Sequence, residues 1–329
     1  VNDSTNDPTA DPHAFWRNWI AASLKMTEDR VPLWQKNADK RKAGIGDTGS
    51  EQVHINKDWP KTKAKEAQLY SQTPEVRCSA EIPELAQHVS QLAKELNKQI
   101  GKSNVGATVS ECLSDGINAS GVAGCIVSCE KLTAPTQVAK FTDPIIQMMS
   151  GNPMLDTVKT TDIAYPAPRI SPADLLIDTS FIGSDYDQSR AIGRRGRMTW
   201  AQAMRAFGLK EEQKENALAG DDRHKSNNTL NSDSNKFRDN AEVVTFSELF
   251  YWRHYFHPEE TSFSAIQRMV FVDGITEPVV NEEYAGQKRM PDGSIVGMTK
   301  LPIRILTLTY VSDEALPPSD STIARAAVN

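Results

Sequence analysis

His254 and His257 stand three residues apart in WRHYFHPEE, followed by Glu259 and Glu260. Imidazole and carboxylate donors suit a divalent transition metal when they converge. Residues three apart on a strand point to opposite faces, so the spacing reads as polar residues at a strand end. The segment DTSFIGSDYD carries Asp178, Asp185 and Asp187, residue types that supply a general acid and base but that form turns just as readily. Gly116, Gly121 and Gly124 are spaced like part of a phosphate loop. No Lys-Ser/Thr follows them, and helix precedes strand, whereas phosphate binding needs a strand that feeds a helix N-terminus. A tight reversal with close backbone packing accounts for them. The four cysteines, Cys78, Cys112, Cys125 and Cys129, contain no Cys-x-x-Cys and read as free, mostly buried thiols of a reducing compartment. Gly-x-Ser-x-Gly, His-Glu-x-x-His and kinase signatures do not occur. The sequence therefore nominates no catalytic residue, no cofactor and no metal, and the expectation is a protein that is not an enzyme.

The most pointed charged feature is Arg190, Arg194, Arg195 and Arg197, set around Ile192 and Gly193. Such a cluster binds phosphates or pairs with a carboxylate-rich face of another subunit. The chain has 329 residues and a net charge of -6, which argues against tight wrapping of nucleic acid and favours the subunit contact. Lys40, Arg41 and Lys42 form a second basic run, but Asp39, Asp47, Glu51 and Asp58 dilute it into a solvated face.

The elements that position these residues follow from periodicity. Phe15, Trp16, Trp19, Ile20 and Leu24 predict a helix over residues 14–35, opened by Asp11-Pro12 and ended or kinked at Val31-Pro32. Residues 36–65 read as a mobile surface loop with a short segment near Trp59-Pro60, and residues 74–80 as a short strand. Leu85, Val89, Leu92, Leu96 and Ile100 form the cleanest helical stripe, expected to pack in a core and to stop at Gly101. A helix over 104–118 then runs through the glycines into a strand over 125–129, a compact α/β unit. Thr199 caps a helix that ends near Gly208. Residues 210–240 turn sharply polar and read as a linker or exposed excursion. Strands follow over 243–256, 266–272 and 275–280, with Asp273-Gly274 as a hairpin turn. Pro291-Asp292-Gly293 makes a further turn, and LPIRILTLTYV, residues 301–311, closes the meander.

The expected fold class is α+β. Its segments are a helical N-terminal arm and basic loop (1–70), an α/β wing (71–209), a flexible polar excursion (210–240), an antiparallel β meander (241–316) and the start of a stem helix (317–329). A mean hydropathy of -0.49 and the lack of an apolar run near ~18 residues exclude a membrane-spanning helix. Residues 1–12 are too polar for a secretory signal, and without an initiator Met the chain is expected to begin inside a longer gene product.

Three stretches together resemble tailed-bacteriophage portal proteins, the head-to-tail connectors. The run RISPADLLIDTSFIGSDYDQSRAIGRRGRMTWAQAMRAFGL, residues 169–209, looks like that family's proline-containing segment followed by an arginine and a Met-Thr helix start. The matching positions are Pro172, Leu175, Leu176, Asp178, Arg195, Met198 and Thr199. Residues 85–130 are similar to the wing, and the strands from Val243 through LPIRILTLTYVSDEALPPSDSTIARAAVN resemble the β-rich segment that leads into the channel helix. The resemblance implies a portal-like wing and a homo-oligomeric ring of about twelve copies at one capsid vertex. It implies a virion protein assembled in the host cytoplasm that meets the major capsid protein, a head-tail adaptor and the terminase large subunit. Double-stranded DNA would pass through without sequence-specific binding, and no membrane is involved. Another ring-forming adaptor or tail protein is the nearest alternative, and a carboxylate-dependent hydrolase a more distant one. The family's clip, returning stem helix, tunnel loop and crown have no counterpart here, so the stem helix is read as truncated at Asn329. Cyclic rings use heterologous interfaces, and the arginines at 190, 194, 195 and 197 with Asp185 and Asp187 are the candidate complementary patches.

Overall fold

The computed structural model describes residues 12–41, 58–70, 75–79, 84, 86–117, 121–128, 130–139, 155–164, 166–183, 185–222, 242–256, 265–284, 287–289, 295–297 and 300–308. The fold is α+β, helices combined with antiparallel sheets. The chain divides into two compact units, one of residues 1–71, 108–126 and 168–329, the other of 72–107 and 127–167. Residues 71–209 thus contribute to both units. The expected stem helix, the turn at 291–293, the Asp11 cap, Cys129, His257, Glu259 and Glu260 lie outside the described residues.

The first unit opens with three helices, α1 (Pro12–Glu28), α2 (Val31–Arg41) and α3 (Asp58–Leu69). The break expected at Val31-Pro32 is present, but the chain resumes as helix because proline is tolerated in a first turn. Residues 36–41 and 58–65 are therefore helical, contrary to the loop expected there. Trp34 and Asn37 on α2 and Thr62 and Glu66 on α3 are buried, which supplies the tertiary packing that overrides a lysine-rich composition.

A five-stranded sheet forms the centre: β5 (Leu175–Ile177), β6 (Ala191–Thr199), β7 (Val243–Trp252), β8 (Ile266–Val272) and β9 (Val280–Glu283), paired in that order and antiparallel throughout. The meander thus begins upstream of the expected 241 boundary. Its last strand starts at Val280 and not at 275, because residues 273–279 form a wide turn closed by Ile275 N–H to Val272 O and Val279 N–H to Val270 O. Gly274 takes a left-handed φ of 87°, the role expected of Asp273-Gly274.

A second sheet places β1 (Val122–Ile126) between β4 (Arg169–Ile170) and β12 (Ile303–Thr307). Residues 303–307 accordingly leave the meander and pair with β1, in register from Val122↔Thr307 to Ile126↔Ile303. The two sheets share one core of Val122, Ile126, Ile170, Leu175, Ile192, Phe250 and Ile303. β10 (Gln287–Arg289) and β11 (Ile295–Gly297) form a separate two-stranded ribbon.

Strand alternation splits the five-stranded sheet into two faces. Leu176, Ala191, Leu249, Tyr251, Met269 and Phe271 face α1, where Trp16, Trp19 and Ile20 cover them. Ser23, fully buried on α1, accepts a 2.8 Å hydrogen bond from the Ile177 N–H and ties the helix to β5. On the other face, Val244, Phe246, Val270 and Val272 meet α6 (Trp200–Phe207) through Trp200, Ala203 and Phe207. Helix α6 starts as expected: Thr199 and Gln202 form a reciprocal capping box, and Gly208 closes it with φ 68°. Thr199→Ala is expected to cost about 1 kcal/mol, read as a lowered urea midpoint. The first part of the expected excursion is also ordered as α7 (Lys214–Asp222), because Ala217 is fully buried against this cluster.

The second unit holds α4 (Ala86–Lys102) and the hairpin of β2 (Glu130–Ala139) with β3 (Leu155–Ala164). α5 (Val105–Asp115) begins here, after Asn104 takes a left-handed φ of 52°, and its residues 108–115 belong to the first unit. The α4 stripe falls where periodicity placed it, but Leu92 and Leu96 remain 54% and 36% exposed, so these two do not pack in a core. Residues 75–79 pair with no strand. The Asn97 side chain instead accepts from the Val76 N–H at 2.8 Å and donates to the Val76 carbonyl at 3.0 Å, making the two bonds a neighbouring strand would make.

Candidate functional site

β7 reads VVTFSELFYW, and Glu248 is its one charged residue, 4% exposed. A carboxylate at that depth requires cationic hydrogen-bond donors. Two neighbouring strands supply them. Arg194 on β6 stands directly opposite Glu248 and donates through Nε at 2.7 Å. Arg268 on β8 donates through its own Nε to the other carboxylate oxygen at 2.7 Å. Arg268 Nη1 continues to Glu282 on β9 at 2.9 Å, and Arg194 lies over the Phe246 ring at 5.8 Å. The result is a charge ladder, Arg194–Glu248–Arg268–Glu282, crossing four strands on the face opposite α1. It separates the core shared by the two sheets from the cluster under α6. Burial works against the Arg268 charge, but the two glutamates outweigh it and raise its pKa above the ordinary guanidinium value.

The arginine cluster is thus dispersed by strand alternation. Arg195 points to the α1 face and pairs with Asp273. Arg190, just before β6, forms a fork on Asp178, with Nε to Oδ2 at 2.8 Å and Nη2 to Oδ1 at 3.1 Å, and also donates to Ser180. Arg197 and Arg195 both lower the pKa of Asp174, where burial nevertheless prevails and pushes the carboxyl up.

Asp185, Asp187 and Asp178 do not face one another as an acid/base pair would; each has its own partner. Asp187 accepts from Arg304 Nη1 at 2.7 and 2.8 Å and has Lys300 at 3.6 Å. Asp185 caps a single 3-10 turn by accepting from the Asp187 N–H. Burial raises the Asp178 carboxyl, but the bonds from Arg190 and Ser180 together overcome that, and it lies below the ordinary carboxylate value. A depressed carboxylate stabilises the fold above its unfolded pKa and loses that contribution as pH falls through its folded value. Thermal melts of Asp178→Asn should therefore show a smaller stability loss between pH 7 and pH 3 than the parent.

His254 sits in a 3-10 turn after β7 and stacks against Tyr255, with ring centroids 4.3 Å apart. Among the described residues no three His, Cys, Asp or Glu side chains are placed to hold a metal ion, and no helix is long and apolar enough to cross a membrane. An open cleft of about 300 Å3 lies between the turn after α6 and the 275–279 loop, lined by Phe207, Leu209, Lys210, Glu277 and Pro278.

Glu248, Arg268, Asp273 and Arg304 were not nominated by sequence reasoning. Glu248 carried the available signal, since a lone acid inside an otherwise uncharged, aromatic-rich strand implies a partner cation. Chemically the ladder fixes strand register, because a one-residue slip would strand a buried charge. Comparison with known proteins adds no relative: neither a family model nor a curated protein matches the chain.

Proposed function

We propose that the chain is a portal subunit, one copy of a ring at a single capsid vertex through which double-stranded DNA is packaged and ejected. The observation that carries this reading is the placement of residues 169–209. Every matching position within this run is a joint of one sheet-and-helix unit. Pro172 is buried and opens a 3-10 turn, Leu175 and Leu176 are core, and Asp178 anchors Arg190. Arg195 pairs with Asp273, Met198 packs against the α6 cluster, and Thr199 caps α6. Shared positions that are all scaffold are what a likeness of fold requires.

The electrostatics supports the same reading. Arg190, Arg194 and Arg195 have carboxylate partners within the chain, so they offer little to phosphates, and the chain's net charge is -6. A conduit must let a polyanion slide, and about twelve copies give on the order of -70 charges to repel it. In such a ring the subunit meets the major capsid protein, a head-tail adaptor and the terminase large subunit, and resides in the virion.

Arg190 keeps 41% of its side chain exposed while paired, which leaves it able to meet a neighbouring subunit. Arg194→Glu is a poor test of that interface, because it sets a second carboxylate against buried Glu248. Asp185→Lys, at an exposed position, tests the acidic patch without entering the core. The deciding experiment is native mass spectrometry of the complete gene product, with electron-microscope end views of the same sample. A closed ring of about twelve copies around a hole wide enough for duplex DNA, ~20 Å, is expected. A monomer overturns the proposal.

A further inference from the structure

Cys112 and Cys125 lie on different elements and meet. Cys112, on α5, is 5% exposed. Its Sγ is 3.6 Å from the Gly124 carbonyl, one residue before Cys125, so the two thiols are neighbours and influence each other's ionisation. Cys125 is half-buried in β1 and stands opposite Arg304 on β12 and Arg169 on β4. Arg169 is itself held by Asp115, one turn beyond Cys112 on α5, with Nη2 to Oδ1 at 2.8 Å. The neighbouring Cys112 thiol lowers the Cys125 thiol below its ordinary value; burial opposes this and Arg304 reinforces it. Cys125, with burial, pushes the Cys112 thiol up. An isolated buried cysteine behaves as a small apolar side chain. Two neighbouring thiols, one half-buried beside arginines and the other buried on a helix, have the asymmetry of an attacking and a resolving cysteine.

We infer that Cys112 and Cys125 form a dithiol that a small disulfide converts into an intrachain disulfide joining α5 to β1. The Cys125 thiolate attacks one sulfur of the small disulfide, forms a mixed disulfide and expels one thiolate. Cys112 loses its proton to solvent, attacks the Cys125 sulfur and expels the second thiolate. The two protein thiols are oxidised by two electrons, and the small disulfide is reduced to two thiols that take up the two protons. This inference does not depend on ring formation.

The test is to incubate the 329-residue chain with oxidised glutathione, then denature it and alkylate with iodoacetamide. Two cysteines should resist alkylation, with a mass decrease of about 2 Da that dithiothreitol reverses. Cys112, Cys125 and Cys129 share one tryptic peptide, residues 103–131, so variants assign the pair. Cys129→Ala should keep the protected pair, and Cys112→Ala should stop at a mixed disulfide on Cys125. Brief alkylation of the native chain should label Cys125 roughly tenfold faster than Cys112. Loss of protection in Cys129→Ala, or full alkylation of the oxidised parent chain, overturns the inference. Should Cys112→Ala fail to fold, the parent and Cys129→Ala decide it alone.

Discussion

Glu248→Ala should lower the free energy of unfolding by about 3–5 kcal/mol, among the largest losses any single substitution in the sheet would cause. The carboxylate is 4% exposed and answers two arginines from two strands. Removing it leaves two guanidinium groups facing each other across β7, with 31% and 25% of their side chains exposed. Repulsion and lost hydrogen bonds add to a cavity in mid-sheet. The contrast lies in the triple variant Arg194→Leu, Glu248→Leu, Arg268→Leu, expected to return within about 1–2 kcal/mol of the parent, because a well-packed apolar set avoids the desolvation penalty altogether. Urea unfolding of the single and triple variants checks both figures. A triple variant as unstable as the single one would show that the ladder holds the sheet by more than charge compensation.

Gly193→Ala is expected to cost about 3 kcal/mol, although it adds one methyl group. A Cβ on residue 193 would stand 2.5 Å from Leu249 Cδ2, 2.7 Å from the Glu248 carbonyl oxygen and 3.3 Å from Leu176 Cβ. The leucine tip can rotate away, but the carbonyl belongs to the central strand and cannot move without disturbing the β6–β7 ladder. Gly196→Ala, three residues on, meets only the Phe246 ring at 2.6 Å, and a ring tilt should keep that cost nearer 1 kcal/mol. Comparing the two urea midpoints separates backbone from side-chain obstruction. Equal losses would count against this account.

What was legible in the sequence was local. The Thr199 cap, the Gly208 stop, the Asp273-Gly274 turn and the course of α4 each depend on residues within a turn or two of one another, and each is found where the pattern put it. What was not legible depends on partners far along the chain. Arg194 meets a glutamate 54 residues away and Arg195 an aspartate 78 away, distances over which periodicity carries no information. The arginine cluster therefore looked like an outward-facing patch, while strand alternation sent Arg194 and Arg195 to opposite faces and gave each a partner within the chain. Lysine-rich helices α2 and α3 were misjudged for the same reason. Their stability comes from Trp34, Asn37, Thr62 and Glu66 being buried, not from helix propensity. The candidate site followed the same rule: the interface candidates came from sequence clustering, and the Glu248 ladder appears only when four strands are laid side by side.

The pairing of β1 with β12 bears on synthesis at the ribosome. Val122 must wait for Thr307 to be translated before its strand has that neighbour. At ~5–20 residues per second this leaves β1 with an open edge for roughly ten seconds or more. Open strand edges recruit other chains, and contacts this distant in sequence close slowly even when they are stable. A nascent chain held before residue 303 should bind holdase chaperones through that edge and release them once β12 emerges. The step that seals the shared core therefore waits for residues 303–307 to emerge, long after β1 itself has been made.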